Sequence, residues 1–420
     1  MSVPVQENNE KNQSLTVQGQ LFQIGVSEKS HYGNLMNHYD SLPHWCNGKH
    51  AKVPAAQNTD SDRVRSHSFI LDDTAYTLEI SPTAGKRNGE EYDFYPGTPE
   101  ENVFAALMKL AGEKLEQYGN RIGVPFTLSE LARRISDDHQ KMSLTNIKES
   151  LSILKKADYT LRRVGEDGKL KEWEYTHINE ILSSGERDNP NDGDQFFAVF
   201  NSMITEEIAK LQYRLYNHSR FKKFKGSLTR LLYKKLCNEF RWAATGRMFE
   251  IFLMETRDWG QLNTPEDMKI NKRRDPLIFS FDELIELGVL ESYRLLRVIK
   301  ETGSNGRKRT VDEVYEVYPT QEFVNEIKKA NAVKNERELK FRMIQDFDLA
   351  DRETTDPELQ AVINMPAKQA NALYQKQRHE DEAEKAAIEA SELEDNSLPK
   401  TAPGVQYTKV DDDIFGSSAP

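Results

Sequence analysis

The sequence predicts an α+β chain, mainly α with small β wings, built as two tandem winged helix-turn-helix domains between a disordered N-terminus and an acidic C-terminal tail. Two observations predict the tandem bodies. Helical apolar periodicity recurs in short successive helices, and each set leads into two alternating strand-like runs joined by turn residues. A third observation, a polar turn-rich stretch midway, separates them. The boundaries that follow are a disordered segment at 1–30, a first winged-helix domain with a preceding hairpin at 31–182, a linker at 183–195, a second winged-helix domain at 196–335, and a helical or disordered tail at 336–420.

Residues 1–30 are rich in Asn, Gln, Glu and Ser and poor in large apolar groups, which favours disorder. From His67 to Ile80, Phe69 and Leu71 alternate against Tyr76, Leu78 and Ile80 across Asp72-Asp73-Thr74, a hairpin pattern. Thr98-Pro99-Glu100-Glu101 combines an N-cap, an early proline and a capping-box glutamate, and opens a helix carrying Val103, Phe104, Leu107 and Leu110 on one side. A second helix, Thr127 to Ile135, spaces Leu128, Leu131 and Ile135 on one face. Ser143 caps a third, in which Leu144, Ile147, Leu151 and Leu154 face inward and Thr145, Asn146, Lys148 and Ser152 face out. Tyr159 to Val164 and Glu172 to Ile178, joined by Glu166-Asp167-Gly168, read as a wing.

The second body repeats this order less clearly. Leu228 to Trp242 is an amphipathic helix, Phe249 to Arg257 reads as another, and Thr264-Pro265-Glu266-Asp267 signals a further helix start. Pro276 either kinks that helix or begins a new one with Asp275 as its cap. Tyr293 to Lys300 and Val311 to Tyr318 pair as strands around a tip, residues 303–309, that holds Arg307, Lys308 and Arg309. Pro366 to Asp395 favours helix but has little apolar face to bury.

Across 420 residues the net charge is -11, yet its distribution is uneven. Residues 201–310 hold 22 Lys and Arg against 14 Asp and Glu, whereas residues 331–420 hold 11 against 19. A cationic middle suits phosphates, with affinity that falls steeply with salt. No apolar run reaches the roughly 18 residues that span a bilayer, and the N-terminus has no signal-peptide core, so a cytoplasmic protein without membrane association is expected. Cys46 and Cys237 are too few and too far apart for a disulfide framework or a zinc site.

Several segments also resemble a known family in their order. YDSLPHW (Tyr39 to Trp45), ISPTAG (Ile80 to Gly85), YDFYPGTPEENVFAALMKLA (Tyr92 to Ala111), VPFTLSELARRI with its following helix, GSLTRLLYKKLCNEFRWA and VDEVYEVYPTQEFVNEIKKAN (Val311 to Asn331) are similar to bacterial plasmid replication initiators over roughly residues 35–335. The resemblance implies two winged helices that bind direct repeats of duplex DNA at an origin, help open the adjacent duplex and recruit host replication proteins. Many such initiators also repress their own gene as homodimers. Pro276 and the acidic tail depart from the pattern.

On this reading Thr145, Asn146 and Lys148 occupy the first turns of a recognition helix, where side chains reach base edges; a solvated helix face is the alternative. Arg162, Arg163, Lys169 and Lys171 in the first wing, and Lys272, Arg273, Arg274, Arg307, Lys308 and Arg309 in the second body, are the phosphate or groove candidates. The run Tyr213 to Gly226 interleaves aromatics with cations, which fits base stacking or, better, core aromatics beside surface lysines. His31, His38, His44, Cys46 and His50 crowd together without a zinc spacing, and neither metal nor cofactor is expected. Val410 to Phe415 resembles the acidic-then-aromatic tip by which single-strand-binding proteins recruit partners, a solubilising tail being the blander reading.

An enzyme is not expected. A rolling-circle nicking enzyme would need a His-x-His metal pair, and no two of the 9 histidines lie two apart; no Gly-Lys is followed by Ser or Thr, as a phosphate-cradling loop requires. A double winged-helix transcription regulator would use the same parts and is the closer alternative.

Overall fold

The computed structural model describes residues 16–397 apart from 47–50, 58–62, 72–73, 88–89, 119–120, 137–140, 166–168, 184–193, 243, 245, 259–269, 303–306, 351 and 353–354. The wing turn Glu166 to Gly168, the Thr264 to Asp267 signal, His50, residues 303–306 of the second wing tip and the Val410 to Phe415 motif lie outside the described residues. The chain divides into two units, Met1–Met365 and Pro366–Pro420.

Residues 16–30 correct the expectation of disorder. Helix α1 (Val17–Gln23) is capped by Thr16 and buries Val17, Leu21 and Phe22. Lys109 fixes the segment behind it, its Nζ donating to the carbonyls of Ser27 (2.9 Å), Ser30 (2.9 Å) and Tyr32 (2.6 Å). Few apolar side chains are present, but they are spaced to fall on one helix face, and a packing partner outweighs composition.

The strands β1 (Tyr32–Met36), β2 (Lys52–Pro54), β3 (Arg65–Leu71), β4 (Thr74–Ser81), β5 (Thr83–Arg87) and β6 (Glu90–Phe94) precede α2 (Thr98–Lys114). The β3–β4 hairpin forms as its alternation predicts, with Leu71 opposite Thr74. The α2 cap is shifted by one residue: Gly97 is the N-cap, and its N–H donates to Glu100 Oε2 at 2.8 Å. Next come β7 (Glu116–Tyr118), β8 (Arg121–Phe126), α3 (Leu128–Ile135), α4 (Leu144–Lys156), β9 (Asp158–Val164) and β10 (Leu170–Tyr175). Ser143 caps α4 as expected, and Thr127, read as the first residue of its helix, is instead the N-cap of α3. β9 and β10 pair in antiparallel register, but β9 also pairs with β4, so hairpin and wing fuse into one sheet of order β10-β9-β4-β3. Local alternation marks the strands and cannot say which hairpins will adjoin.

β11 (Ile178–Ser183) and β12 (Phe196–Phe200) then join β8 and β7 in the order β11-β12-β8-β7. The boundary expected at 183–195 therefore does not separate two bodies, because β12 lies between strands of the first. Its run FFAVF is wholly buried, and an apolar strand belongs inside a sheet.

α5 (Ser202–Ala209), β13 (Tyr213–Asn217), α6 (His218–Phe221) and α7 (Ser227–Glu239) follow, with β13 pairing back onto β1. Phe249 to Arg257 is corrected from one helix to a strand and a helix, β14 (Phe249–Phe252) and α8 (Leu253–Asp258). Phe-Glu-Ile-Phe has a period of two, and it pairs with Val314 to Val317. Helix α9 (Ile270–Glu286) carries Pro276 inside it. β15 (Leu290–Thr302) and β16 (Lys308–Pro319) form the expected long hairpin, in a sheet of order β14-β16-β15.

The packed unit runs past residue 335. α10 (Gln321–Asp346) and α11 (Pro357–Asn364) bury Arg337, Lys340, Met343, Ile344, Leu359, Val362 and Ile363, so the tail expected from 336 begins instead at 366. Arg337 Nη2 donates to Phe22 O (3.4 Å), Asn34 Oδ1 (2.9 Å) and Ile24 O, linking α10 to the start of the chain. α12 (Ala367–Ser397) belongs to the second unit and carries i,i+4 ion pairs Lys376–Glu380 (3.6 Å) and Arg378–Glu382 (2.9 Å). With five sheets among the described residues, the class is α+β with more strand than two small wings.

Candidate nucleic-acid interface

Among the described residues a helix leads through one or two strands to two helices and a hairpin twice: α2, β7–β8, α3, α4, β9–β10 and α7, β14, α8, α9, β15–β16. The two differ in where the strand leading into the helices pairs, β8 with β7 and β12 but β14 with its own wing strand β16. In each, the third helix buries one face. Ile147, Leu151 and Leu154 anchor α4, and Leu277, Phe281 and Leu284 anchor α9.

On α4 the outward face forms where expected. Thr145 and Asn146 are exposed in the first turn, and Lys148 is half-exposed and already engaged within the protein. Ser143 Oγ accepts from Asn146 N at 3.2 Å, which fixes the turn that presents them. Ser143→Ala is expected to destabilise the protein by about 1 kcal/mol, checked by thermal denaturation. An unchanged midpoint would mean that the cap hydrogen bond contributes nothing to the helix.

The first wing divides its cations. Arg162 is clasped between Glu79 and Glu172 of the neighbouring strands, and those two carboxylates raise its pKa, the Glu172 hydrogen bond most of all. Arg163 donates to Tyr76 Oη at 3.3 Å and lies 5.3 Å from the Trp173 ring centroid. Both arginines, phosphate candidates by sequence, are instead engaged within the sheet. Lys169 and Lys171 are exposed beside the turn.

The second body sorts its candidates more sharply. Arg273 is 2% exposed, with Nη1 3.6 Å from Met254 Sδ, so its assignment to the DNA surface is corrected. Arg274 is bound to both carboxylate oxygens of buried Glu313, Nε to Oε2 at 2.7 Å and Nη2 to Oε1, and this pairing depresses the Glu313 pKa. Replacing these two arginines would disturb the fold rather than test an interface. Lys272 remains exposed on α9, and Arg307, Lys308 and Arg309 are exposed at the end of the β15–β16 hairpin, where Thr302 pairs with Lys308.

Pro276 neither ends nor restarts α9; it sits mid-helix with its ring exposed. Lacking an N–H, it leaves the Lys272 carbonyl without its usual intrahelical donor, which is tolerable on a solvent face. Tyr213, Tyr216, Phe221 and Phe224 are all buried, so the aromatic run is core, the blander of the two readings. Among the described residues no cluster could hold a metal ion. His44 lies instead in a buried group in which its Nε2 meets Tyr175 Oη at 2.8 Å and His177 Nε2 meets Tyr159 Oη at 2.8 Å.

The surface lysines expected in this run are Lys223, between the buried Phe221 and Phe224, and Lys225, just before α7; the sequence did not single them out as site residues. The signal was available as the alternation Phe-Lys-Lys-Phe-Lys, in which buried aromatics turn the last lysines outward.

No protein-family model matches the chain, and no curated protein matches it. Among solved structures, a crystal structure of domains 2 and 3 of RctB matches at 13% identity, covering 64% of this chain and 94% of that one, with a TM-score of 0.39. A second RctB domains 2–3 structure matches at 13% identity, with coverage of 65% and 96% and a TM-score of 0.34. A Pi initiator protein in complex with iteron DNA matches at 14% identity, with coverage of 53% and 91% and a TM-score of 0.35. Among the described residues no helix is long and apolar enough to cross a membrane.

Proposed function

We propose that this protein is a plasmid replication initiator whose two winged helices bind direct repeats of duplex DNA at an origin, favour opening of an adjacent A·T-rich stretch and recruit host replication proteins. The observation that carries the reading is the repeated helix-strand-helix-helix-hairpin order within one packed unit. The motif order along the sequence supports it. An α-helix fits the major groove, and its first turns reach base edges. α4 and α9 are the helices that enter grooves. Thr145 and Asn146 read bases, Lys148, Lys169, Lys171 and Lys272 supply charge beside them, and Arg307, Lys308 and Arg309 hold phosphates through the wing. The protein acts without catalysis, in the cytoplasm.

A homodimer that represses the protein's own gene belongs to the same reading. Ile70, Val164 and Leu170 are 63%, 62% and 62% exposed and line one depression on the sheet formed by β10, β9, β4 and β3. Apolar groups clustered outside a core mark association surfaces.

Footprinting on DNA flanking the gene tests the function. Regularly spaced protection over direct repeats, with reactive bases in a neighbouring A·T-rich stretch, is the expected result. One palindromic footprint without distortion would make the protein a double winged-helix regulator. Changing Arg307, Lys308 and Arg309 together to Gln is expected to lower the slope of log affinity against log salt by about 2.7, at roughly 0.9 per phosphate. An unchanged slope would remove the wing tip from the interface.

A further inference from the structure

Residues 211–250 hold 10 Lys and Arg against 2 Asp and Glu, but the fold consumes much of that charge internally. Arg214, Arg220, Arg230 and Lys234 are buried, and Lys235 pairs with Glu239 at 3.0 Å. Lys223 and Lys225 are different. Both are exposed, and neither has an ion-pair partner among the described residues.

Their segment is held rigidly. Phe221 and Phe224 are 0% exposed, so the chain is pinned on either side of Lys223. Glu283 of α9, itself 6% exposed, accepts from Lys225 N at 2.6 Å and Gly226 N at 3.2 Å. Its carboxylate is thus turned onto the backbone and away from the lysine ammonium groups. Arg230 Nε donates to Phe224 O at 2.9 Å while its Nη1 reaches Asn102 of α2 at 2.6 Å. Lys222 Nζ donates to Ser136 O, the C-cap of α3, at 3.3 Å.

These anchors place the lysines. A Cβ at Gly226 would stand 3.3 Å from Phe279 Cε1, and Phe279 is 54% exposed on the outward face of α9. The segment therefore runs beside the exposed face of the second groove-entering helix, and on its other side touches the end of the helix preceding α4. We infer that Lys223 and Lys225 grip DNA phosphates on the backbone between the stretches read by α4 and α9. The inference rests on the DNA-binding reading above and adds a contact that fixes the spacing of the two readers. Lysine suits this role, as a point charge on a flexible stem that needs no shaped partner.

The test uses the full chain on the duplex defined by footprinting. Lys223→Gln with Lys225→Gln is expected to lower the salt slope by about 1.8, with the melting temperature and the base protections unchanged. Phosphate-ethylation interference seen with the wild type between the two protected grooves is expected to vanish in the variant. Lys223→Arg with Lys225→Arg is expected to keep the wild-type slope. If it loses binding as the Gln variant does, the lysines serve the fold and the inference is overturned. An unchanged slope and interference pattern in the Gln variant would overturn it equally, while leaving the wild-type footprint intact. A wild-type chain that gives no footprint would instead remove the initiator reading and this inference with it.

Discussion

Glu101→Gln is expected to lower the unfolding free energy by about 3–5 kcal/mol, measured by urea titration at neutral pH. Glu101 stands in the first turn of α2, where Oε2 faces Arg230 Nη1 at 3.3 Å and Oε1 faces Lys234 Nζ at 3.1 Å. Lys234 also meets Asp40 Oδ1 at 3.0 Å. The side chains of Arg230, Lys234 and Glu101 are 0%, 5% and 4% exposed. Burial alone would depress the Lys234 pKa, but Asp40 and Glu101 together outweigh it and hold the ammonium charged. Removing the Glu101 charge leaves two buried cations to share one carboxylate. Breaking one partner of a buried pair is far costlier than replacing the pair. Arg230→Met combined with Glu101→Leu, which leaves Lys234 with Asp40, should therefore recover most of the loss. A change below about 1 kcal/mol would mean that water screens the cluster as it does a surface pair.

Acid is expected to destabilise the protein from about pH 6.5 downward, before most carboxylates titrate. His44 and His218 are lowered to about 3 by burial, with Lys234 and Lys222 adding to it respectively. His177 is driven well below its ordinary value by burial, then by His44 and Lys234. A histidine whose native pKa lies below its unfolded value of 6.5 keeps its neutral form in the fold. Stability is complete above 6.5 and is lost as pH falls from there towards the native pKa, because only the unfolded chain takes up the proton. Glu207 opposes this. Burial raises it to about 7, so the native state binds a proton there that the unfolded chain binds only near 4.5. Burial also raises Glu100 and Glu326. The histidines outweigh the glutamates once the pH falls below 6.5, His44 and His218 each costing about 1 kcal/mol per unit while Glu207, Glu100 and Glu326 offset part of it. Urea midpoints from pH 7.5 to 4.5 would show it as a steep acid branch. His218→Asn should make that branch shallower by about 1 kcal/mol per unit. A flat profile would mean that these imidazoles are hydrated.

The features legible in the sequence were those set by a few neighbouring residues. Ser143 caps the helix that its hydroxyl and position imply, and the outward face of α4 carries Thr145 and Asn146 as its spacing implies. The β15–β16 hairpin formed around its cationic end. These depend on hydrogen bonds within a turn of helix and on side-chain periods of 3.6 and 2, which a linear reading contains. Short signals were misjudged where a distant partner decided the outcome. Val17 to Gln23 is a helix because Phe22 and Leu21 find a core, and residues 336–365 are packed because Arg337 reaches the carbonyls of the first helix.

Charge shows the same division most plainly. The sequence by itself determined that the middle of the chain, residues 201–310, is cationic and that residues 331–420 are acidic. Only the tertiary structure decided which cations face solvent. Arg162, Arg273, Arg274, Arg230 and Lys234 read in one dimension as readily as Lys171, Lys272, Lys223 and Lys225. The first group meets carboxylates or apolar surface brought in from strands and helices tens to more than a hundred residues away. A charge becomes available to an outside partner only when the fold has supplied it no closer counterion, and that is a property of long-range packing.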